Sequence, residues 1–147
     1  MKYMSIGYPL RFESDSKYLV ELDEKIVVLN PEEFSCWCYV ESENYNEIMN
    51  ILEKKGVVIS GNNEVEIIKK ILNKKIVRQG YGLVKENKHC IYLGESYIYP
   101  SDIQCEIWVK ANGKNRIIDI FNNLSGSYEF LFEQLKELIK KDFIFVR

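Results

Sequence analysis

The sequence contains no long hydrophobic run. No stretch approaches the roughly 18 apolar residues that a membrane-spanning helix needs, and residues 1–12, MKYMSIGYPLRF, lack the sustained apolar segment of an export signal. Neither sign of charge dominates: 20 basic side chains face 22 acidic ones, for a formal charge of -2. This balance gives no general attraction to phosphate backbones or anionic membranes. These absences predict a soluble, cytoplasmic protein without a membrane partner.

Residues that could carry catalysis are also scarce. His89 is the only histidine, so any Ser–His or Cys–His nucleophile pair must use it. It lies inside a predicted strand, and no glycine-framed serine or cysteine accompanies it in the chain. The sequence has no G-x-G-x-x-G or P-loop pattern for binding phosphates. We therefore expect a non-catalytic protein with no cofactor.

Cysteine is present at four positions, too few and too irregularly spaced for a disulfide framework. Cys36 and Cys38 flank a tryptophan in the stretch CWC, but one intervening residue does not make the C-x(2–4)-C knuckle of a zinc site. His89 and Cys90 could in principle complete a set of ligands. Free cysteine is among the most buried residue types. We therefore expect reduced cysteines that pack in the core, and no metal site.

Apolar residues are plentiful and the chain resembles itself. Hydrophobic residues make up 46% and aromatic residues 13% of its 147 residues, enough for a compact core. Pro31 and Pro100 are 69 positions apart, and this offset also pairs Cys36 with Cys105 along with many apolar or identical residues. Self-similarity at a fixed offset is the signature of a repeated structural unit.

The sequence of each copy predicts strands followed by helices. Short runs such as KYLVEL and KIVVL, or HCIYL and SYIY, are broken by turn residues and predict a small antiparallel sheet. A helix with proline and acidic residues at its start follows, then two helices with apolar residues at i, i+3 and i+4. The third helix is expected to lead into a closing strand, KIV or FIFV. We predict an α+β protein, a tandem duplication of a winged-helix-like unit with a small antiparallel sheet and three helices each, over residues 1–78 and 79–147.

A short sheet of this kind leaves an edge strand whose unpaired N–H and C=O groups can accept an extended peptide. In copy two we expect a groove between the strand SYIY and the third helix. Alternation along this strand places Tyr97 and Tyr99 on one face and Ile98 on the other. The predicted peptide site consists of Tyr97, Ile98, Tyr99, Tyr128, Phe132 and Leu135.

The stretch YIYPSDIQCEIWVKANGKNRIIDIF, residues 97–121, resembles the PqqD-like peptide-recognition domain of ribosomal peptide-modification pathways. Residues 27–52 are similar, although Tyr39 stands where Trp108 falls and the Asn-Gly turn is missing. The resemblance implies a winged unit of three strands and three helices that binds a peptide by strand addition. It is carried by Ile107, Trp108, Asn112, Gly113, Ile117 and Ile120.

Two other functions remain open. A winged-helix unit can place its third helix in the major groove of DNA, which would make the protein a transcriptional regulator. Recognition of this kind needs basic or amide side chains at the front of that helix, whereas NNEVEIIKK and SGSYEFLFEQ carry their acidic residues there. A structural or dimerisation subunit is the third candidate. We favour a protein or peptide partner over nucleic acid.

Overall fold

The computed structural model describes residues 1–14, 16–40 and 47–147, with residues 11–14 as backbone only. It confirms the α+β class, with helices and small antiparallel sheets distributed along the chain. The chain divides into two compact units, Met1–Ile71 together with Arg147, and Leu72–Val146. None of the helices in the described ranges is both long enough and apolar enough to cross a bilayer.

The first unit contains two sheets and three helices within its described residues. β2, β3 and β4 form an antiparallel sheet in that order, and β1 pairs antiparallel with β5. Its elements are β1 (Lys2–Ser5), β2 (Tyr8–Ser14), β3 (Lys17–Glu21), β4 (Ile26–Leu29), α1 (Pro31–Cys38), α2 (Glu47–Lys54), β5 (Val58–Gly61) and α3 (Glu64–Ile71).

The second unit contains two three-stranded antiparallel sheets, β7-β8-β9 and β10-β6-β11, and three helices. β6 is the central strand of the second sheet, although it comes first along the chain. The elements are β6 (Lys75–Arg78), β7 (Tyr81–Lys85), β8 (Lys88–Leu93), β9 (Ser96–Ile98), α4 (Asp102–Lys110), β10 (Asn112–Arg116), α5 (Ile117–Asn122), α6 (Tyr128–Lys140) and β11 (Ile144–Val146).

The boundary between the units differs from the expected one after residue 78. It falls after Ile71, because the strand that includes KIV, β6, pairs with β10 and β11 of the second unit. KIV therefore opens the second unit and does not close the first. In the first unit the strand β5 lies between α2 and α3, and in the second unit the strand β10 lies between α4 and α5, so neither unit has the expected three successive helices followed by a strand.

Each unit has a core of its own. In the second unit the apolar stripe of α6 faces inward, and α6 packs against α4 and β11. The largest fully buried side chains of the first unit are Leu29, Met49, Leu52 and Ile71, and those of the second unit are Ile76, Ile91, Ile107, Ile117, Ile120, Phe121, Leu131 and Phe143.

The helices that follow the sheets β2-β3-β4 and β7-β8-β9 both begin with a capping box. In α1 the Asn30 side chain accepts a hydrogen bond from the Glu33 amide at 2.8 Å, and the Glu33 carboxylate accepts one from the Asn30 amide at 2.9 Å. In α4 the Ser101 hydroxyl accepts from the Gln104 amide at 3.1 Å, and the Gln104 side chain accepts from the Ser101 amide at 2.9 Å. These reciprocal bonds satisfy amide groups that a helix start otherwise leaves unpaired.

The caps correct the offset that the prolines suggested. Pro31 is the first residue of α1, whereas Pro100 precedes the N-cap of α4. The N-caps Asn30 and Ser101 are 71 positions apart, not 69. The same offset of 71 relates the strand pair Val20–Val27 of the first unit to the pair Ile91–Ile98 of the second.

The corrected offset separates the two cysteines that the sequence had paired. Cys36 corresponds to Ile107, and both side chains are buried. Cys105 corresponds to Phe34 and is only half-buried. The expectation of a shared core position for Cys36 and Cys105 is therefore wrong.

At this offset Trp37 corresponds to Trp108, and both indoles anchor the start of their unit. The Trp37 indole N–H donates to the carbonyl oxygens of Ile6 at 3.0 Å and Val57 at 3.1 Å. The Trp108 indole N–H donates to the Gln79 carbonyl at 3.0 Å. Each indole thus ties the first helix to the segment that leads into the three-stranded sheet.

A glycine in the left-handed region follows two of these acceptors, Ile6 and Gln79. Gly7 has a φ of +102° and Gly80 a φ of +89°. A Cβ atom on Gly80 would clash with the Tyr92 carbonyl oxygen, and one on Gly7 would clash with the Val20 side chain. Only glycine therefore fits the turn that presents the carbonyl to the indole.

We predict that Trp37→Phe lowers the free energy of unfolding by about 2–3 kcal/mol, because it removes buried hydrogen bonds as well as volume. Trp108→Phe is the matched control and should cost about 1–2 kcal/mol, since its single bond is only partly buried. Urea unfolding followed by far-ultraviolet circular dichroism measures both. A larger loss for Trp108→Phe than for Trp37→Phe would contradict the prediction.

Candidate functional site

The free edge of β9 is the best candidate for a binding site in the second unit. β9 pairs antiparallel with β8 through Tyr92–Tyr97 and Ile91–Ile98, and it has no second strand partner among the described residues. An edge of this kind presents backbone N–H and C=O groups that an added strand can pair with.

A groove of about 360 Å³ runs beside this edge. The strand side consists of Tyr97, Ile98 and Tyr99, and the opposite side comes from α4 and from the C-terminal end of α6. We call this cavity the β9 groove; it is lined by Tyr97, Ile98, Tyr99, Gln104, Glu137, Leu138 and Lys141. Its walls therefore combine aromatic rings, a backbone edge and two opposite charges.

The structure brings three of the six predicted site residues together. Tyr97 and Tyr99 are 54% and 50% exposed, and Ile98 between them is half-buried. This is the alternation that the sequence predicted. All three residues line the β9 groove.

The other three predicted residues lie outside the β9 groove. Phe132 is 3% exposed and Leu135 is 0% exposed, because the apolar stripe of α6 faces the core. Tyr128 lies at the start of α6, where its hydroxyl donates to the Asn122 side chain and its ring packs against Phe121. A docked peptide could not contact Phe132 or Leu135 without repacking the core.

Sequence reasoning missed the polar residues of the groove. Glu137 and Lys141 are one helical turn apart and flank the apolar stripe of α6. Gln104 is the third residue of α4, and a glutamine three residues after a serine is a recognisable signal of a capping box in the sequence. Lys141 lies just beyond α6, where the helix dipole alone accounts for a lysine, and nothing in the neighbouring sequence indicates that it lines a groove beside β9.

Four tyrosines form a continuous row across the outer face of the sheet β7-β8-β9. Ring centroids are 5.5 Å apart for Tyr81 and Tyr92, 5.6 Å for Tyr92 and Tyr97, and 5.6 Å for Tyr97 and Tyr99. We call these residues the tyrosine ladder. Its last two members also line the β9 groove, so an exposed aromatic face continues directly into the groove.

Two lysines accompany the ladder. The Lys88 ammonium lies 5.9 Å from the centroid of the Tyr99 ring, within range of a cation–π interaction. Interaction with Tyr92 and then with Tyr99 raises the pKa of Lys85, while a hydrogen bond with Cys90 and burial raise the pKa of Tyr92. At neutral pH Lys85 is therefore positively charged and Tyr92 is uncharged.

A second cavity, which we call the β7 cleft, lies between β7, β8 and α4 and has a volume of about 480 Å³. Exposed Val84 and Val109 line it together with His89, Cys90 and Cys105. Sequence analysis did not identify this cleft, because its residues come from three elements.

The cysteines have unlike surroundings. Cys36 and Cys90 are buried, Cys105 is half-buried and Cys38 is exposed. Across the residues that the structure describes, no three histidine, cysteine or acidic side chains are grouped so that they could hold a metal ion. Burial, with smaller effects of Asp102 and Glu106, raises the pKa of the Cys105 thiol.

Comparison with protein-family models, with curated proteins and with solved structures finds no match to this chain. The interpretation of the β9 groove therefore depends on its own geometry. That geometry combines a strand edge, an aromatic flank and a charged helix end, which suit recognition of an extended chain.

We predict that alkylation will distinguish the cysteines in the folded protein. A raised pKa leaves a smaller thiolate fraction at a given pH, so iodoacetamide should label exposed Cys38 first at pH 8 and Cys105 only as the pH rises further. Buried Cys36 and Cys90 should stay unlabelled without denaturant. Peptide mass spectrometry gives the order, and labelling of Cys105 at pH 7 as fast as that of Cys38 would contradict it.

Proposed function

We propose that this protein is a non-catalytic binding module that recognises an extended peptide, or an extended segment of a protein, at the β9 groove. The observation that carries the proposal is the free edge of β9 beside an open groove and a row of exposed tyrosines. An added strand would gain main-chain hydrogen bonds from the edge and side-chain contacts from both flanks.

The two flanks suit the alternation of a bound strand. Successive side chains of a strand point to opposite faces. One set of peptide side chains would lie beside Tyr97 and Tyr99, and the other would point into the groove toward Gln104 and Lys141. Tyrosine offers a large rigid contact area with a polar tip, which is why it is frequent in binding surfaces.

The resemblance to PqqD-like domains supports the same function. Its Asn-Gly pair occupies a tight turn, in which the Asn112 side chain accepts from the amides of Lys114 at 2.9 Å and Asn115 at 3.0 Å. Gly113 adopts a φ of +81° there, a conformation that favours glycine.

We also infer that the two units arose by duplication of one such module. The capping boxes, the indole-to-carbonyl bonds and the left-handed glycines occur at matching places in both units. The ends of α2 and α6 support the same conclusion, because the Val57 amide donates to Leu52 at 3.1 Å and the Phe143 amide to Leu138 at 2.9 Å.

We predict that Tyr97→Ala raises the Kd of a groove-binding peptide about tenfold, because it removes the central exposed ring beside the edge. The probe is a fluorescein-labelled peptide recovered by panning a phage library of random peptides against the full chain. Ile26→Ala is the matched control, because Ile26 is the equally exposed counterpart of Tyr97 in the first unit. Fluorescence anisotropy should show no change in Kd for this control.

Random duplex DNA in the same assay tests the transcriptional regulator. The peptide-binding proposal predicts no binding of duplex at low salt. Tight duplex binding that weakens steeply with added salt would overturn the proposal in favour of the regulator, because such dependence reports phosphate contacts.

A further inference from the structure

The edge of β4 in the first unit is closed by a lysine. The Lys55 ammonium, just beyond α2, donates to the Val28 carbonyl oxygen at 3.1 Å. It also lies 3.0 Å from one carboxylate oxygen of Glu33 and 2.8 Å from the other. We call this arrangement of Lys55, Glu33 and the Val28 carbonyl the edge latch. A lysine placed on an edge strand in this way blocks the addition of another strand.

Glu33 is well placed to hold the latch. Its side chain is only 8% exposed and already accepts the Asn30 amide as part of the capping box. Lys25 adds support, because its ammonium donates to the Lys55 carbonyl at 3.3 Å. The ammonium is therefore held by groups that the fold has already positioned.

The second unit has the same positions but no latch. At the offset of 71, Val28 corresponds to Tyr99 and Glu33 to Gln104, and both of these line the β9 groove. The carboxylate of the first unit is thus replaced by an uncharged amide in the second. The Gln104 side-chain oxygen accepts the Ser101 amide at 2.9 Å.

The lysine itself is retained. The segments LEKKG and LIKKD end α2 and α6, and they place Lys55 and Lys141 directly before a residue in the left-handed region. That residue is Gly56 at a φ of +80° in one unit and Asp142 at +63° in the other. The Lys141 side chain lines the β9 groove, and its ammonium makes no hydrogen bond or ion pair with another described residue.

We propose that Lys141 binds an acidic side chain of the bound peptide. The carboxylate of this side chain would pair with the Lys141 ammonium as the Glu33 carboxylate pairs with Lys55 in the first unit. The edge latch of the first unit keeps β4 closed, so the chain binds one peptide, at the second unit. This inference rests on the proposed function and adds the chemistry of the partner. The partner is an extended peptide with an aspartate or glutamate facing the end of α6.

Charge complementarity supports a peptide with an acidic residue as the partner. A carboxylate and an ammonium in the first unit meet at 2.8 Å, whereas the second unit has the ammonium with an uncharged amide at the position of that carboxylate. Charge-assisted bonds of this kind are about twice as strong as neutral ones. Glu137, one turn before Lys141, repels a second acidic group, so one carboxylate at one position is the expected requirement.

Gln104→Glu tests the inference by giving the second unit a latch of its own. Glutamate at this position keeps the capping box, so the fold should be retained, as circular dichroism can verify. We expect the Kd of the phage-selected peptide to rise at least tenfold, because Lys141 becomes paired internally. An unchanged Kd would overturn the inference.

A double-mutant cycle tests the carboxylate directly. Changing the acidic residue of the selected peptide to its amide should weaken binding to the native protein about tenfold and leave binding to Lys141→Met unaffected. Glu33→Gln, the matched change in the first unit, should leave the Kd of the native peptide unchanged. Equal effects of the peptide change on the native protein and on Lys141→Met would exclude a contact with Lys141.

A measurement without peptide separates the latch from the function. In nitrogen-15 spectra of lysine side chains, an ammonium group that is held by hydrogen bonds gives a slowly exchanging signal. We expect such a signal for Lys55 and its loss in Glu33→Gln. In Gln104→Glu we expect a new signal of this kind for Lys141. Peptides selected without any acidic preference would overturn the inference and leave the proposed function intact. Failure to select any peptide would overturn both.

Discussion

In each unit, the third residue of the helix after the three-stranded sheet sets both the start of that helix and the chemistry of the neighbouring sheet edge. Glutamate and glutamine both complete a capping box there, so the two helices begin alike. Only glutamate brings a charge, and that charge draws Lys55 onto the Val28 carbonyl. With Gln104, the same local structure leaves an open groove. A single change from carboxylate to amide thus separates a closed edge from an open one.

The position of that residue depends in turn on the tryptophan one turn later in each helix. Its indole N–H binds a carbonyl that a left-handed glycine presents, which ties the helix to the beginning of the sheet. Because a side chain on Gly80 would clash with Tyr92, this joint tolerates little change. The helix that carries the capping residue is thus fixed to the segment that leads into the sheet.

Self-similarity was visible in the sequence, but its register was not. Proline is tolerated both at the first position of a helix and just before its cap, so Pro31 and Pro100 suggested an offset two residues too small. The three strand residues of the groove were predictable, because alternation along β9 is local. The sequence predicted that Phe132 and Leu135 of α6 line the groove, whereas in the structure Glu137 and Lys141 line it. The sequence could not show this, because the packing of α6 on α4 and β11 decides which side of the helix faces outward.

The sequence by itself determined the α+β class, the aromatic strand SYIY, the start of α1 and the alternation of Tyr97 and Tyr99 with Ile98, because each depends on residues close together in the chain. Only the tertiary structure decided where the units divide, which cysteines are buried and which edge is open. Lys55 and Glu33 are 22 residues apart, and no periodicity relates them. They meet because α1, α2 and β4 pack together, whereas the matching lysine of the second unit faces a groove in which the Gln104 amide stands at the position of the Glu33 carboxylate.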